Sequence, residues 1–149
     1  RNFAFAFLVR RHIDFMGVNY YRSRRIGKKD APGPHASDMG WDIYPQGLGR
    51  VLKSAARWIR KPIYITENGL ADARDEKRAE FIRAHIAEML KAKKEGIDIR
   101  GYFHWSLLDN FEWDSGFWPR FGLVEVDYKT LERKIRRSAW EYKRIIDSI

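Results

Sequence analysis

The chain contains no cysteine, which excludes disulfides and every metal site built on sulfur ligands. That absence fits a reducing compartment or a heat-adapted protein, and a cytoplasmic location is expected. Long apolar runs are missing too. No stretch approaches the ~20 residues that a membrane span needs, and the apolar segment Phe3–Val9 is far too short and is followed by no small-residue cleavage pattern. No membrane partner is expected. Asn, Gln and Met are scarce while Lys, Arg and Glu abound, as in thermophilic proteins with surface ion-pair networks. The sequence opens on Arg1 rather than Met, so it reads as a fragment or a trimmed chain.

What is present suffices for one domain. The 149 residues are 44% hydrophobic and 15% aromatic, with six Trp. Part of that aromatic load should fill a core. Part can line a binding surface, because sugars present apolar C–H faces that stack on indole rings. The 29 Lys and Arg exceed the 20 Asp and Glu, a formal charge of +9. Clustered basic residues would suggest nucleic acid, but the runs at Arg22–Arg25, Lys91–Lys94 and Arg133–Arg137 are short and mixed with other residue types. Solvated helix faces explain them better, and no nucleic-acid partner is expected.

Along the chain, Arg1–His12 fits a strand or a short buried helix equally well. Ile13–Tyr21 reads as a strand buried on both faces, as in a parallel sheet. Arg22–Gly40 has loop chemistry. Pro45, Leu48, Val51, Leu52, Ala55 and Ile59 mark a helix, and Ile63–Thr66 a strand. A longer helix follows over about Glu76–Glu95, with the stripe Ala79, Ile82, Ile86, Met89 and Leu90 and with Gly96 as its C′ residue. Ile99–Ser106 reads as another strand. Such alternation predicts an α/β fold with a parallel sheet. Phe121–Asp127 and Leu131–Ile135 suggest a small antiparallel hairpin. Ser138 is expected to cap a final helix with Ala139, Tyr142, Ile145 and Ile149 inward.

Three strands end in unusual groups: Asn19-Tyr20-Tyr21, Thr66-Glu67-Asn68-Gly69 and His104-Trp105-Ser106. In parallel α/β folds, sites form beyond the carboxyl ends of strands. Glu67 would emerge at the mouth of a buried strand. Taken alone, its carboxylate suits either catalysis or the anchoring of the next loop. His104 alternates with Phe103 and Trp105, so it is expected to pack toward the helices. His12, His35 and His85 have no ligand spacing, and no metal is predicted.

The motifs carry the reading further. ITENG at Ile65–Gly69 resembles the nucleophile motif of glycoside hydrolase family 1. NYY at Asn19–Tyr21, HWSLLDNFEW at His104–Trp113 and RFGLVEVDY at Arg120–Tyr128 match the same family in order and spacing, over about Ile13–Ile146. Met39–Pro45 and Gly116–Gly122 look most like archaeal members. The resemblance implies the C-terminal part, about the last three β/α units, of a (β/α)8 TIM barrel, with the hairpin before the final helix and residues 1–149 forming one partial barrel domain.

By the same resemblance, Glu67 is the nucleophile of a retaining β-glycosidase, and Tyr21 is the tyrosine that orients it. Glu112 and Trp113 resemble the pair that binds the sugar, Trp105 its aromatic platform and Phe121 a wall near the primary hydroxyl. Asn19 is placed beside the sugar, and Trp118 is a candidate for the leaving-group side. No cofactor is implied.

A retaining mechanism needs a second carboxyl group about 5–5.5 Å from the first. In this family it lies in an Asn-Glu-Pro motif, which this chain lacks. A full barrel also needs roughly 250 residues. The expected partners are therefore a small β-glycoside and the missing N-terminal barrel half, on the same or a separate chain, with self-association also allowed. A different class of function remains open: a catalytically incomplete half-barrel serving folding or association. A basic module for nucleic acid or acidic polysaccharide is a third reading.

Overall fold

The apolar periodicity that starts at Pro45 produces the expected helix. The computed structural model describes residues 4–23 and 36–149. Much of the loop expected over Arg22–Gly40, with His35, lies outside the described residues, as do the first three. The elements run α1 (Ala4–Val9), β1 (Met16–Asn19), α2 (Pro45–Ile59), β2 (Ile63–Asn68), α3 (Arg78–Lys94), β3 (Ile99–His104), β4 (Val124–Val126), β5 (Arg133–Ile135) and α4 (Arg137–Ser148). Short 3₁₀ turns cover Arg10–His12 and Trp113–Ser115.

Strands β1, β2 and β3 form one parallel sheet in that spatial order. Helices α2 and α3 are the crossovers that parallel pairing requires. Leu48, Leu52 and Ala55 of α2 meet Phe81, Ile82, Ile86 and Met89 of α3 against Val18, Ile63, Ile65 and Ile99 of the sheet. Their removal from water is the main stabilising term, about 1.5–3 kcal/mol for each large aliphatic side chain. β4 and β5 form an antiparallel hairpin. A single bridge from Leu108 to Val124 ties it to the segment after β3.

The helix ends show how tertiary contacts finish local structure. Asp72 accepts the backbone N–H groups of Lys77 and Arg78 at 2.8 and 3.0 Å, which satisfies two orphan donors at the start of α3. At the other end Gly96 adopts φ +94°, the left-handed C′ geometry expected for it. Ser138 does not cap α4. The cap position is Arg136, and Ser138 is fully buried inside the first turn, its N–H donating to Asp75 Oδ2 at 2.9 Å.

Other expectations are also corrected. Arg1–His12 contains a helix, but Phe5 and Leu8 are exposed, so it is not buried in this chain. β1 buries only Val18, with Gly17 and Asn19 exposed, because one face of the sheet is covered by helices and the other is open. Phe15 and Phe103, 53% and 57% exposed, lie on that open side. Ile149 is exposed beyond the end of α4. α3 buries Arg78, Phe81 and His85 besides its aliphatic stripe, while Ala79 and Leu90 are only half-buried.

Candidate active site

Polar groups gather where β1, β2 and β3 end. Ile63 and Ile65 anchor β2 in the core, which brings Glu67 out at its carboxyl end. The β1–β2 register slips between Val18 and Asn19, so Asn19 lies opposite Glu67 and Tyr20 N–H donates to the Glu67 carbonyl at 2.9 Å. The next residue, Tyr21, donates its phenol proton to Glu67 Oε2 at 2.6 Å. Burial raises the Tyr21 pKa well above its ordinary value, with the Glu67 hydrogen bond and the charges of Glu67 and Glu112 adding to the shift. The phenol is therefore a fixed donor to the carboxylate.

Glu112 faces the same region. It sits in a tight turn closed by its N–H to the Gly116 carbonyl at 2.7 Å. Its Oε2 is buried with no hydrogen-bond partner among the described residues. A buried carboxylate oxygen with open acceptor capacity can receive ligand hydroxyls. Phe121 is buried and meets Tyr21 edge-on at 6.1 Å. Trp41 closes the group, 5.9 Å from Tyr21 and 6.2 Å from Phe121 between ring centroids, with Arg22 over its indole. Trp41 was not among the residues expected at the site. Its signal was the MGWDIYP stretch, which reads as family pattern and assigns no contact.

The remaining candidates make no side-chain hydrogen bond to the Tyr21–Glu67 pair among the described residues. Asn19 accepts the Thr66 hydroxyl at 2.6 Å on the open sheet face. Trp105 is half-buried and joined to the β2 end through its backbone, N–H to the Asn68 carbonyl at 3.0 Å. Trp113 is 78% exposed at φ 44°, and Trp118 is exposed as well.

Behind the rim, Asp109 organises the loop that carries Glu112 and Phe121. Its buried carboxylate binds Arg136 through two nitrogens, at 2.9 and 3.0 Å, and accepts Gly122 N–H at 2.9 Å. Burial alone would raise its pKa, but Arg136 and these donors hold it below the usual carboxylate range. His104 packs beside Tyr142 of α4, on the helix side of the sheet. Burial, reinforced by the Arg78 charge, lowers its pKa to about 3. His85 is buried against Phe81, its Nδ1 at 2.8 Å from the Phe81 carbonyl. Among the described residues no group of three His, Asp or Glu is arranged to hold a metal ion. No described helix is long and apolar enough to cross a membrane.

Four motifs in register, with Glu67 of ITENG bonded to Tyr21 of NYY, agree with a comparison of the whole chain. Residues 5–149 match glycosyl hydrolase family 1. The chain belongs to this family. A β-galactosidase of Sulfolobus acidocaldarius is 39% identical over 94% of this chain and 32% of its own length. β-Glucosidase A of Thermotoga maritima is 39% identical over 93% and 35%. Among solved structures, the hyperthermophilic β-glucosidase from Pyrococcus furiosus superposes with a TM-score of 0.89 at 39% identity, covering 99% of this chain and 36% of that one. This family 1 chain thus spans about a third of the length of the relatives it matches. Its heat-adapted composition accords with thermophilic relatives.

Proposed function

We propose that the chain supplies the nucleophile side of a retaining β-glycosidase site, as one partial TIM-barrel domain forming the last three β/α units of an eight-stranded barrel. Glu67 attacks the anomeric carbon of a terminal β-linked sugar, such as glucose or galactose, and the bond to the leaving oxygen breaks as the ester forms. An acid on the missing N-terminal part protonates that oxygen. Water then cleaves the ester and restores the carboxylate.

Tyr21 holds the attacking oxygen in line, because its donated proton fixes the carboxylate rotamer. Glu112 accepts sugar hydroxyls through its unpartnered oxygen, and Trp113, Trp105, Phe121 and Asn19 surround the ring. Without the acid the chain alone is inactive or nearly so. The observation that carries this reading is the 2.6 Å bond from Tyr21 to Glu67 at the carboxyl end of a parallel sheet. The test is hydrolysis of an aryl β-glucoside by the complete barrel. Glu67→Ala should abolish turnover, and undiminished turnover overturns the assignment.

A second reading, a half-barrel that serves association, draws on the open sheet face with Phe15 and Phe103 exposed. A chain that stays a monomer with well-protected strands, by size exclusion and hydrogen exchange, argues against it.

A further inference from the structure

The residue after the proposed nucleophile is hydrogen-bonded at both ends of its side chain. Asn68 is fully buried. Its Nδ2 donates to the Tyr20 carbonyl on the β1 side at 2.5 Å, and its Oδ1 accepts the Tyr102 hydroxyl of β3 at 2.7 Å. Tyr102 is held in turn from the helix layer, where the Tyr142 hydroxyl donates to its carbonyl at 3.1 Å. Both polar ends of Asn68 are thus satisfied in the one amide orientation that allows it, with the NH₂ toward a carbonyl and the oxygen toward a hydroxyl. The single side chain spans all three strands at the level of Glu67.

The Tyr20 carbonyl belongs to the peptide that leads into Tyr21. Tyr20 N–H is already committed to the Glu67 carbonyl at 2.9 Å. Asn68 adds a second tie on the following peptide, so the backbone on both sides of Tyr20 is referenced to β2. The direction in which Tyr21 leaves the chain then follows from β2 itself. Resting on the proposed glycosidase reading, we infer that Asn68 is a positioning residue: through the Tyr20 carbonyl it aims the Tyr21 phenol at the Glu67 carboxylate. It touches neither partner's reacting atoms.

The test is a double-mutant cycle on the complete barrel with an aryl β-glucoside. Asn68→Ala should lower kcat by roughly ten- to a hundredfold with little change in KM, as misplacement of a reacting group does. In a Tyr21→Phe background, where there is no phenol to aim, the same change should cost less than about threefold. Equal factors in the two backgrounds, or a rise in KM alone, overturn the inference, because a general loss of structure acts whether or not the phenol is present. Tyr102→Phe keeps the Asn68 side chain and removes only its outer partner. It carries the cycle should Asn68→Ala not fold, with a smaller kcat loss that again disappears with Tyr21→Phe; a neutral or additive Tyr102→Phe counts against the inference. Glu67→Ala run alongside separates the two levels. Turnover by Glu67→Ala defeats the glycosidase reading, whereas an inactive Glu67→Ala with an additive Asn68 cycle defeats the positioning role alone.

Discussion

Asp109 and Arg136, 27 residues apart, form a bidentate pair with neither side chain open to solvent. The Arg136 Nη1 also donates to the Gly122 carbonyl at 2.8 Å, and Arg120 approaches the other side of the carboxylate at 3.3 Å. The pair therefore welds the loop after β3 to the start of α4. Removing Asp109 leaves the buried Arg136 with only the exposed Glu125, at 4.0 Å, as an ionic partner, a loss of about 3–5 kcal/mol, whereas removing Arg136 leaves Asp109 its contact to Arg120. Asp109→Ala should lose stability of that size in urea denaturation, and Arg136→Ala should lose less. The double variant should lose clearly less than the sum, since the second change removes the stranded charge.

Two buried histidines predict an acid sensitivity. The unfolded value is near 6.5, against about 4 for folded His85 and about 3 for folded His104, both lowered chiefly by burial. Between those values the unfolded chain binds protons that the folded chain refuses. Stability is therefore full above about pH 6.5 and falls as pH drops toward 4 and then 3. Thermal melts across that range should show the decline. His85→Leu should flatten the part of the slope that ends near pH 4.

A methyl group at Gly69 would collide with the neighbouring strand end. A Cβ there would lie 1.8 Å from the Trp105 carbonyl oxygen, far inside contact distance. Gly69→Ala must push β2 and β3 apart just beyond Glu67. The expected cost is on the order of 1–3 kcal/mol in stability, read from the midpoint of chemical denaturation. A variant as stable as the parent would contradict so close an approach of the two strand ends.

Asp75 caps α4 from a distance. Its carboxylate accepts the Ser138 N–H and pairs with the buried Arg78 guanidinium. Asp75→Ala removes a helix cap and a charge partner together, so it should cost more than the ~1 kcal/mol of an ordinary cap. Ser138→Ala should cost less, because its hydroxyl makes no hydrogen bond among the described residues. Comparing the two melting temperatures checks the ranking.

Local pattern was enough for much of the frame. The 3.6-residue stripe of α2, the apolar run before Glu67 and the glycine after α3 each act within a few residues, so the sequence alone determined where those elements form. It also placed Glu67 and Tyr21 in matching motifs, a pairing that composition and periodicity could not supply. Burial of charged and polar side chains was decided elsewhere. Asp109 lies inside because Arg136, 27 residues on, neutralises it, and Arg78 because the Arg120 carbonyl, 42 residues on, adds to its nearby pair with Asp75. The same holds for the α4 cap, supplied by Asp75 63 residues before Ser138. Which face of β1 is covered was also a tertiary outcome: alternation names two faces but not what lies against each. Sequence periodicity reports what a segment can bury, whereas only the packed chain determines what it meets.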